Sequence, residues 1–277
     1  MKFDLRETAK DHKIIVAHRG VSGGNIPCNT MTAYEIALKQ GADMIETDLS
    51  TTADGELVIF HPKMEPRHLA ADVSIPKMTA DEVSKLRYVN YDVVPTQFGV
   101  ERFDDLLENF KGRCYINIDK FWGNPEAIYR AIKRHGMIDQ VLVKSALSEE
   151  VLSVLEAVAP ELQFMPIVKE EHPAHEALMK RNINYVGVEV LFKQDDSLLA
   201  SEKFIDKMHK DGKLVWVNSI IYNCKAQLSG GHSDDSALSE SMEYGWGWLG
   251  DRGFDLIQTD WPIMLINYLK ETGRYYK

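Results

Sequence analysis

Eight short runs of apolar, often β-branched residues recur along this chain and alternate with longer amphipathic stretches. The runs predict strands at residues 14–17, 44–49, 114–118, 141–145, 164–168, 185–190, 214–218 and 255–259. The amphipathic stretches predict helices at residues 30–39, 80–86, 102–109, 125–134, 149–158, 174–181, 202–210 and 262–270. Because helices between strands return the chain to the start of the next strand, the strands should pair in parallel.

The number of strand–helix units limits the possible folds. Eight units within 277 residues predict an α/β protein, a closed (β/α)₈ barrel formed by one domain that covers residues 1–277. A doubly wound open sheet is the alternative. No Gly-x-Gly-x-x-Gly follows the first predicted strand, which counts against dinucleotide binding. In a (β/α)₈ barrel the active residues lie at the carboxyl ends of the strands.

A hairpin interrupts the alternation after the second predicted strand. The Asp-Gly pair at residues 54–55 is a strong turn signal, and residues 57–60 predict an extra strand that returns the chain to His61. Residues 62–96 then contain one short helix and much loop, which is too little for a separate domain. We therefore expect a short hairpin and loop insertion within the barrel.

A second interruption separates strands seven and eight. Residues 229–253 are rich in Gly, Ser, Asp and Trp and predict a long loop, and such loops inside compact domains are usually functional. We expect this loop to project over the active face, where Trp246 and Trp248 could form a lid. A packed Ω-loop without ligand contact is the alternative.

Composition excludes some partners. The formal net charge is −10, which is unfavourable for binding nucleic acid or an anionic membrane. Cys28, Cys114 and Cys224 form no Cys-x-x-Cys motif, so neither a disulfide framework nor a zinc–thiolate site is indicated. Without a membrane-length apolar segment or a signal-peptide core, we expect a soluble protein with no stable membrane anchor. It should be cytoplasmic, or periplasmic or secreted if a signal peptide was removed.

Three carboxylates lie where the second and third predicted strands end. Glu46 and Asp48 are two residues apart, so their side chains leave the same face of the strand. Two carboxylates held this close repel each other unless a cation or a proton lies between them. Asp119 supplies a third oxygen donor, and a set without soft ligands suits Mg²⁺ or Ca²⁺ better than zinc. The alternative is that Glu46 and Asp48 cap helices or pair with lysines.

Two histidines and an arginine accompany the carboxylates. His18 ends the first strand, and the hairpin brings His61 to the same end of the barrel. Imidazole titrates near neutral pH, so these two residues are candidates for proton transfer. Arg19 offers a planar fork that can hold a phosphate or a carboxylate, or can simply pair with a nearby acidic residue. Together these groups indicate a metal-assisted, phosphate-handling site.

Several stretches match a known pattern, namely HRG at 18–20, NT at 29–30, GADMIETD at 41–48, TADG at 52–55, VIFH at 58–61, VWVN at 215–218 and QTDWP at 258–262. They resemble the signature of the glycerophosphodiester phosphodiesterases over essentially the whole chain. The resemblance implies a TIM barrel that uses a divalent metal to hydrolyse a small-molecule glycerophosphodiester to glycerol 3-phosphate and an alcohol. It also implies attack by the glycerol 2-hydroxyl, giving a cyclic phosphate that water opens.

The resemblance assigns a role to six residues: the metal would be bound by Glu46, Asp48 and Asp119, protons would be transferred by His18 and His61, and phosphate would be held by Arg19. Two positions depart from the family pattern. Cys28 stands where the family usually has Glu, and Pro62 follows His61 where the family usually has Asp. These departures leave room for a related phospholipase-type activity on a lysolipid or a sugar phosphodiester, or for a barrel that binds a phosphodiester without turnover.

The third carboxylate also departs from the pattern, which has Glu followed two positions later by Lys. This chain has Asp119, and Phe121 stands where that lysine is expected. Lys120 should point away from Asp119 on a regular strand, although it remains a candidate for substrate binding. Lys144, near the end of the fourth strand, is a candidate replacement cation, with a solvated surface lysine as the alternative. Trp216 should line the substrate pocket, unless it belongs to the barrel core.

Overall fold

Eight parallel strands close into a barrel in the computed structural model, which describes residues 3–222 and 226–277. The strands within these residues are β1 (Ile14–Ala17), β2 (Met44–Thr51), β3 (Leu57–Ile59), β4 (Glu101–Arg102), β5 (Tyr115–Asp119), β6 (Val141–Ala146), β7 (Gln163–Lys169), β8 (Gly187–Leu191), β9 (Leu214–Asn218) and β10 (Leu256–Thr259). Strands β1, β2 and β5 to β10 form the barrel, and pairing of β1 with both β2 and β10 closes it. The predicted (β/α)₈ fold is confirmed.

Helices surround the barrel. They are α1 (Leu5–Asp11), α2 (Met31–Lys39), α3 (Glu65–His68), α4 (Ala80–Ser84), α5 (Phe103–Phe110), α6 (Pro125–His135), α7 (Glu149–Val158), α8 (His175–Leu178), α9 (Glu202–Lys210), α10 (Asp234–Ser239), α11 (Trp248–Asp251) and α12 (Pro262–Glu271). Shorter 3₁₀ turns occur at Ile75–Lys77, Phe121–Gly123, Ile138–Gln140 and Leu198–Ala200, and a π-helical turn at Glu243–Gly247. Among the described residues, none of these helices has the length and apolarity needed to cross a membrane.

Local sequence explains the well-predicted helix α6. Asn124 caps its amino end by accepting a hydrogen bond from the Ala127 amide, and Pro125 occupies the first turn. Gly136 ends the helix with a φ of 65°, a conformation that glycine adopts without steric cost. The helix therefore begins and ends at signals that are readable in the sequence.

The apolar core has two layers. One lies between the outer face of the strands and the helices, and the other fills the barrel interior. Helix α1, which the sequence pattern did not reveal, places Leu5 and Ala9 against the interior layer. The helix has only seven residues, too few for a recognisable apolar period.

The predicted hairpin follows β2. Strand β3 pairs antiparallel to β2, with Ser50 opposite Val58, and β4 pairs antiparallel to β3. The insertion has its own small apolar cluster, which includes Phe60 and Tyr88, both fully buried. This packing fixes the position of His61, which follows the buried Phe60 just beyond the end of β3.

Residues 229–253, which we call the β9–β10 segment, are more ordered than the predicted loop. The segment contains α10, the π-helical turn and α11, and Ser233 and Ser236 form a reciprocal cap at the start of α10. Trp246 is fully buried, and the Trp248 ring stacks on His232 with ring centroids 3.9 Å apart. Because Trp246 is inaccessible, the lid interpretation of this residue is wrong, and the packed alternative describes it.

Candidate active site at the carboxyl ends of the strands

The three predicted carboxylates meet at the carboxyl end of the barrel. Parallel pairing of β2 with β5 places Asp48 beside Asp119 and Glu46 beside Asn117. One oxygen from each of Glu46, Asp48 and Asp119 lies within 4.8 Å of the others. Glu46 and Asp48 are buried, so their mutual repulsion is poorly screened by water. The strand register therefore brings together three carboxylates from a span of the chain in which Glu46 and Asp119 are 73 residues apart.

The hydrogen bonds of Asp48 are incomplete. Its Oδ2 accepts a hydrogen bond of 2.9 Å from the Asn29 side-chain amide, and Arg19 Nε lies 2.8 Å from the same oxygen. Oδ1 is buried and has no hydrogen-bond partner among the described residues, since Lys120 Nζ and His61 Nε2 lie 3.6 Å and 3.9 Å away. An unpartnered carboxylate oxygen in a buried site is costly unless something binds it.

A hard divalent cation fits this arrangement. Burial raises the pKa of Glu46, and the neighbouring Asp48 charge raises it further, so a nearby cation would favour the ionised form of Glu46. A cation bound by the three carboxylates would satisfy Asp48 Oδ1 and offset this repulsion. All the donors are oxygens, which is the ligand set of Mg²⁺ and Ca²⁺. The site is therefore compatible with a divalent metal ion.

A second acidic and histidine group lies elsewhere. His175, Glu176 and Asp211 also have potential ligand atoms within 4.8 Å of one another. However, His175 already hydrogen-bonds to Tyr185 and Asp211, and Glu176 pairs with Lys207 at 3.0 Å. These atoms satisfy one another without an ion, so this group is a polar packing cluster.

His18 and His61 are held in the same tautomer. His18 Nδ1 lies 2.9 Å from the Asp260 carboxylate, and His61 Nδ1 lies 2.8 Å from the carbonyl oxygen of Pro62. Both partners can only accept hydrogen bonds, so each Nδ1 carries the proton and each Nε2 remains available. The Pro62 carbonyl thus orients His61 without the Asp that the family pattern has at this position.

The environment of His18 favours its protonated form. Burial lowers the pKa of His18, but the hydrogen bond that its ring donates to Asp260 and the Glu46 charge outweigh burial and raise the pKa above its ordinary value. His18 is consequently the kind of imidazole that accepts a proton readily and stabilises the resulting charge.

The turn after β1 places Arg19 over the carboxylates. Arg19 adopts a left-handed conformation with a φ of 55°, and its backbone amide donates a 2.9 Å hydrogen bond to Glu46. Gly20 follows with a φ of 76°, and a Cβ atom there would lie 2.7 Å from the Ala33 backbone. Glycine is therefore required for the turn that directs both the Arg19 amide and its guanidinium into the site.

The expectation that Lys120 points away from Asp119 is wrong. Strand β5 ends at Asp119, and Lys120 takes a left-handed conformation with a φ of 63°. The change of direction turns the ammonium back, so that it contacts Asp119 and approaches Asp48 at 3.6 Å. Phe121, at the position where the family pattern has lysine, is fully buried instead.

Lys144 and Trp216 form a buried group deeper in the barrel. The Lys144 ammonium lies 2.9 Å from Glu189 and 3.7 Å from the centre of the Trp216 ring. Lys144 is only 5% exposed and Trp216 is not exposed at all. Lys144 is therefore not a solvated surface lysine, and Trp216 is a barrel-core residue that cannot contact a ligand directly in this structure.

Three further polar residues of this region were not predicted from the sequence. Asn29 and Asp260 lie within matched stretches of the pattern, but neither was given a role. Glu189 is a charged residue between two valines of a barrel strand, and it also accepts a 2.6 Å hydrogen bond from Asn218. A charge inside an apolar strand was the available signal for Glu189.

Two clefts open beside the carboxylates. One has a volume of about 540 Å³ and is lined by Asp119, Lys120, Lys144, Trp122 and Tyr222, among others. The other has about 490 Å³ and is lined by residues that include His18, Arg19, Cys28, Asp260 and Trp261. Asp119 and Lys120 thus line one cleft, and His18 and Arg19 line the other.

Comparison with known proteins gives a consistent picture. A family model described as a domain of unknown function (DUF4996) matches residues 164–269. A glycerophosphodiester phosphodiesterase of Caldanaerobacter subterraneus is 29% identical over 162 residues, which span 54% of this chain and 65% of that protein. The chain spans less than two thirds of the length of the first curated relatives that it matches.

Solved structures share the barrel. A glycerophosphoryl diester phosphodiesterase of Parabacteroides distasonis has a TM-score of 0.78 and 18% identity, with coverage of 95% of this chain and 88% of that chain. An Oleispira antarctica phosphodiesterase, solved with the product sn-glycerol-3-phosphate, has a TM-score of 0.68 and 20% identity, with coverage of 94% and 97%. At these identities the likeness shows that the fold is shared.

Proposed function

Because this chain belongs to the glycerophosphodiester phosphodiesterase family, we propose that it hydrolyses a glycerophosphodiester to glycerol 3-phosphate and an alcohol. The single observation that carries the proposal is the meeting of three carboxylate oxygens within 4.8 Å of one another beside two imidazoles with available Nε2 atoms. In this proposal the whole chain, residues 1–277, acts as one catalytic domain.

We assign the metal site to Glu46, Asp48 and Asp119. Their exclusively oxygen donors and the unpartnered Asp48 Oδ1 support Mg²⁺ or Ca²⁺. When bound, the ion would supply positive charge beside the non-bridging oxygens of the phosphoryl group. Asp119 is one methylene shorter than the family's glutamate, and the Asp48–Asp119 pairing across β2 and β5 brings it near enough to share the ion.

His18 and His61 transfer protons in this proposal. One Nε2 accepts the proton of the attacking hydroxyl, and the other donates a proton to the departing alkoxide. His18 is the better acceptor, because Asp260 holds its Nδ1 proton and stabilises the imidazolium. His61 acts in this step as the doubly protonated imidazolium: its Nδ1–H is held by the Pro62 carbonyl, and its Nε2–H supplies the proton to the leaving group.

Arg19, Lys120 and Lys144 provide the cationic environment for the phosphate. Arg19 presents a planar guanidinium beside Asp48, and Lys120 extends over the same carboxylate. Lys144 lines the cleft of about 540 Å³ but is engaged by Glu189, so it acts on the substrate mainly through its field. The Trp216 ring packs against the Lys144 ammonium, and Trp216 does not itself bind substrate.

The two clefts suit the two arms of a phosphodiester. With phosphorus placed near Arg19 and Asp48, one ester arm enters the cleft beside Lys120 and the other enters the cleft beside His18. A phosphomonoester would fill only one of these spaces. The geometry therefore favours a diester as the substrate class.

A direct assay tests the proposed function. Purified protein, first treated with EDTA, is incubated with several glycerophosphodiesters after addition of Mg²⁺, Ca²⁺ or Mn²⁺, and glycerol 3-phosphate is measured. We expect metal-dependent release that is abolished by Asp48→Asn. A lysolipid and a sugar phosphodiester are included as alternative substrates. Absence of turnover on every diester, together with retained phosphodiester binding, would instead indicate a non-catalytic barrel.

A further inference from the structure

A carboxylate from the β9–β10 segment reaches the turn that follows β10. Asp234 Oδ1 accepts hydrogen bonds of 2.8 Å from both the Trp246 indole and the Thr259 hydroxyl. Its other oxygen, Oδ2, accepts a 2.8 Å hydrogen bond from the backbone amide of Asp260. Both oxygens of Asp234 are thus occupied, and its contacts with Thr259 and Asp260 fix the same turn.

This turn holds one of the proposed catalytic histidines. The Asp260 carboxylate lies 2.9 Å from His18 Nδ1, and the His18 amide donates to the carbonyl of Thr259. The Thr259 hydroxyl also accepts a hydrogen bond of 2.9 Å from the Trp261 amide. A continuous chain of hydrogen bonds therefore runs from Asp234 through the turn to the His18 ring.

Burial of Asp234 has an energetic cost that its surroundings do not remove. The residue is 2% exposed, and within residues 3–222 and 226–277 its hydrogen-bond donors are all neutral groups. Burial consequently raises the pKa of Asp234 to about 6. Polar arrangements that lower stability in this way concentrate at functional sites, where they hold a group in position.

We propose that Asp234 is a positioning residue, which acts through the Asp260 turn to hold the His18 imidazole in its productive orientation. In this proposal the β9–β10 segment stabilises the turn that carries Asp260. It does not act as the lid that its length suggested. This inference rests on the proposed function, since it assigns His18 a role in proton transfer. Residues that orient a catalytic imidazole in this way act on rate more than on substrate binding.

Asp234→Asn tests the link most directly. Asparagine keeps the size of the side chain but has one acceptor oxygen, so its amide must face either the Asp260 amide or the two Oδ1 donors. We expect kcat to fall about 10- to 100-fold, with KM changed by less than about threefold. Asp260→Asn should lower kcat at least as much. The double variant should be no slower than Asp260→Asn alone, because both changes interrupt one chain of contacts.

Glu243→Gln is the matched control. Glu243 lies in the same segment, and its contacts are Arg274 and Tyr268, so the change weakens the anchoring of the segment without touching Asp234. It should lower the melting temperature and leave kcat unchanged. If Asp234→Asn does not fold, Thr259→Val removes the other link from Asp234 to the turn and should lower kcat in the same way. Unchanged kcat in the folded variants would overturn the proposal.

A spectroscopic measurement separates this inference from the proposed function. The ring Nδ1–H resonance of His18 reports its hydrogen bond to Asp260 and requires no substrate. We expect this resonance to persist in Glu243→Gln and to shift or vanish in Asp234→Asn. That result in a protein that hydrolyses no diester would refute the proposed function and keep the positioning role. An unchanged resonance in Asp234→Asn would refute the positioning role, even in an active enzyme.

Discussion

The Arg19 guanidinium lies 2.8 Å from the fully buried Asp48 carboxylate. In the proposed site the contact joins the residue that would hold the phosphate to one that would bind the metal, so neither can move without affecting the other. Arg19→Lys should therefore do more than remove a phosphate contact. We expect kcat/KM to fall about 10- to 100-fold, because lysine cannot form a planar fork. Steady-state kinetics on the preferred diester measure this loss, and an unchanged value would show that a point charge suffices.

The two histidines should be individually essential. His18→Ala or His61→Ala should each reduce kcat by roughly 10²–10⁴, the range typical of a lost general acid or base. His68→Ala is a suitable control, since His68 packs against Phe60 and Tyr88 in the insertion. Activity within tenfold of the wild type in either catalytic variant would refute the assignment.

Metal binding should increase the stability of the folded protein. At a metal concentration of 100 times Kd, an ion that binds only the folded state adds about 2.7 kcal/mol to the free energy of unfolding. We therefore expect Mg²⁺ or Ca²⁺ to raise the melting temperature of the wild type, and EDTA to reverse the increase. Asp119→Asn should abolish most of the effect. An equal increase in that variant would place the ion elsewhere.

Asn29 should contribute to the stability of the folded protein. Its amide donates to Asp48 Oδ2, and its carbonyl accepts a 3.0 Å hydrogen bond from Tyr34. Asn29→Leu removes one partner from each of these buried groups, so we expect a loss of about 1–3 kcal/mol in the free energy of unfolding. Denaturant titration measures the loss. Asn109→Leu, at an exposed helical position, is a control that should change stability far less.

The ion pair between His12 and Asp43 should make stability depend on pH. The 2.9 Å hydrogen bond that the His12 ring donates to Asp43 raises the pKa of His12 in the folded protein. A raised pKa in the folded state stabilises the protein fully below the unfolded pKa of about 6.5, and the contribution disappears as pH rises through the folded value. His12→Gln should therefore cost more stability at pH 5.5 than at pH 8.5. An equal cost at both values would contradict this.

The fold was largely readable because its signals are local. Strand β1 and helix α7 were predicted to the residue, since each apolar pattern ends at a clear boundary. The structure of the β9–β10 segment was not predicted. It depends on the packing of Trp246 and on contacts with residues distant in sequence. Composition alone, rich in Gly, Ser and Asp, cannot distinguish such a packed segment from an open loop.

Part of the site could also be predicted from local sequence signals. Glu46 and Asp48 share a face by strand periodicity alone, and the register of β2 and β5 brings Asp119 beside them. The direction of Lys120 was not predictable, because it depends on a left-handed conformation at one residue. The contact between Asp234 and Asp260 joins positions 26 residues apart. No sequence pattern near either residue predicts it.

The pairing of β2 with β5 also has a consequence for assembly of the protein. Side chains alternate between the two faces of a strand, so a shift of β5 by one residue would turn Asp119 outward and bring Ile118 into the carboxylate cluster. If the proposed metal site is correct, binding of a divalent ion would therefore show that β2 and β5 are paired in the correct register. A misregistered barrel could bury a similar amount of apolar surface and yet have no affinity for the ion.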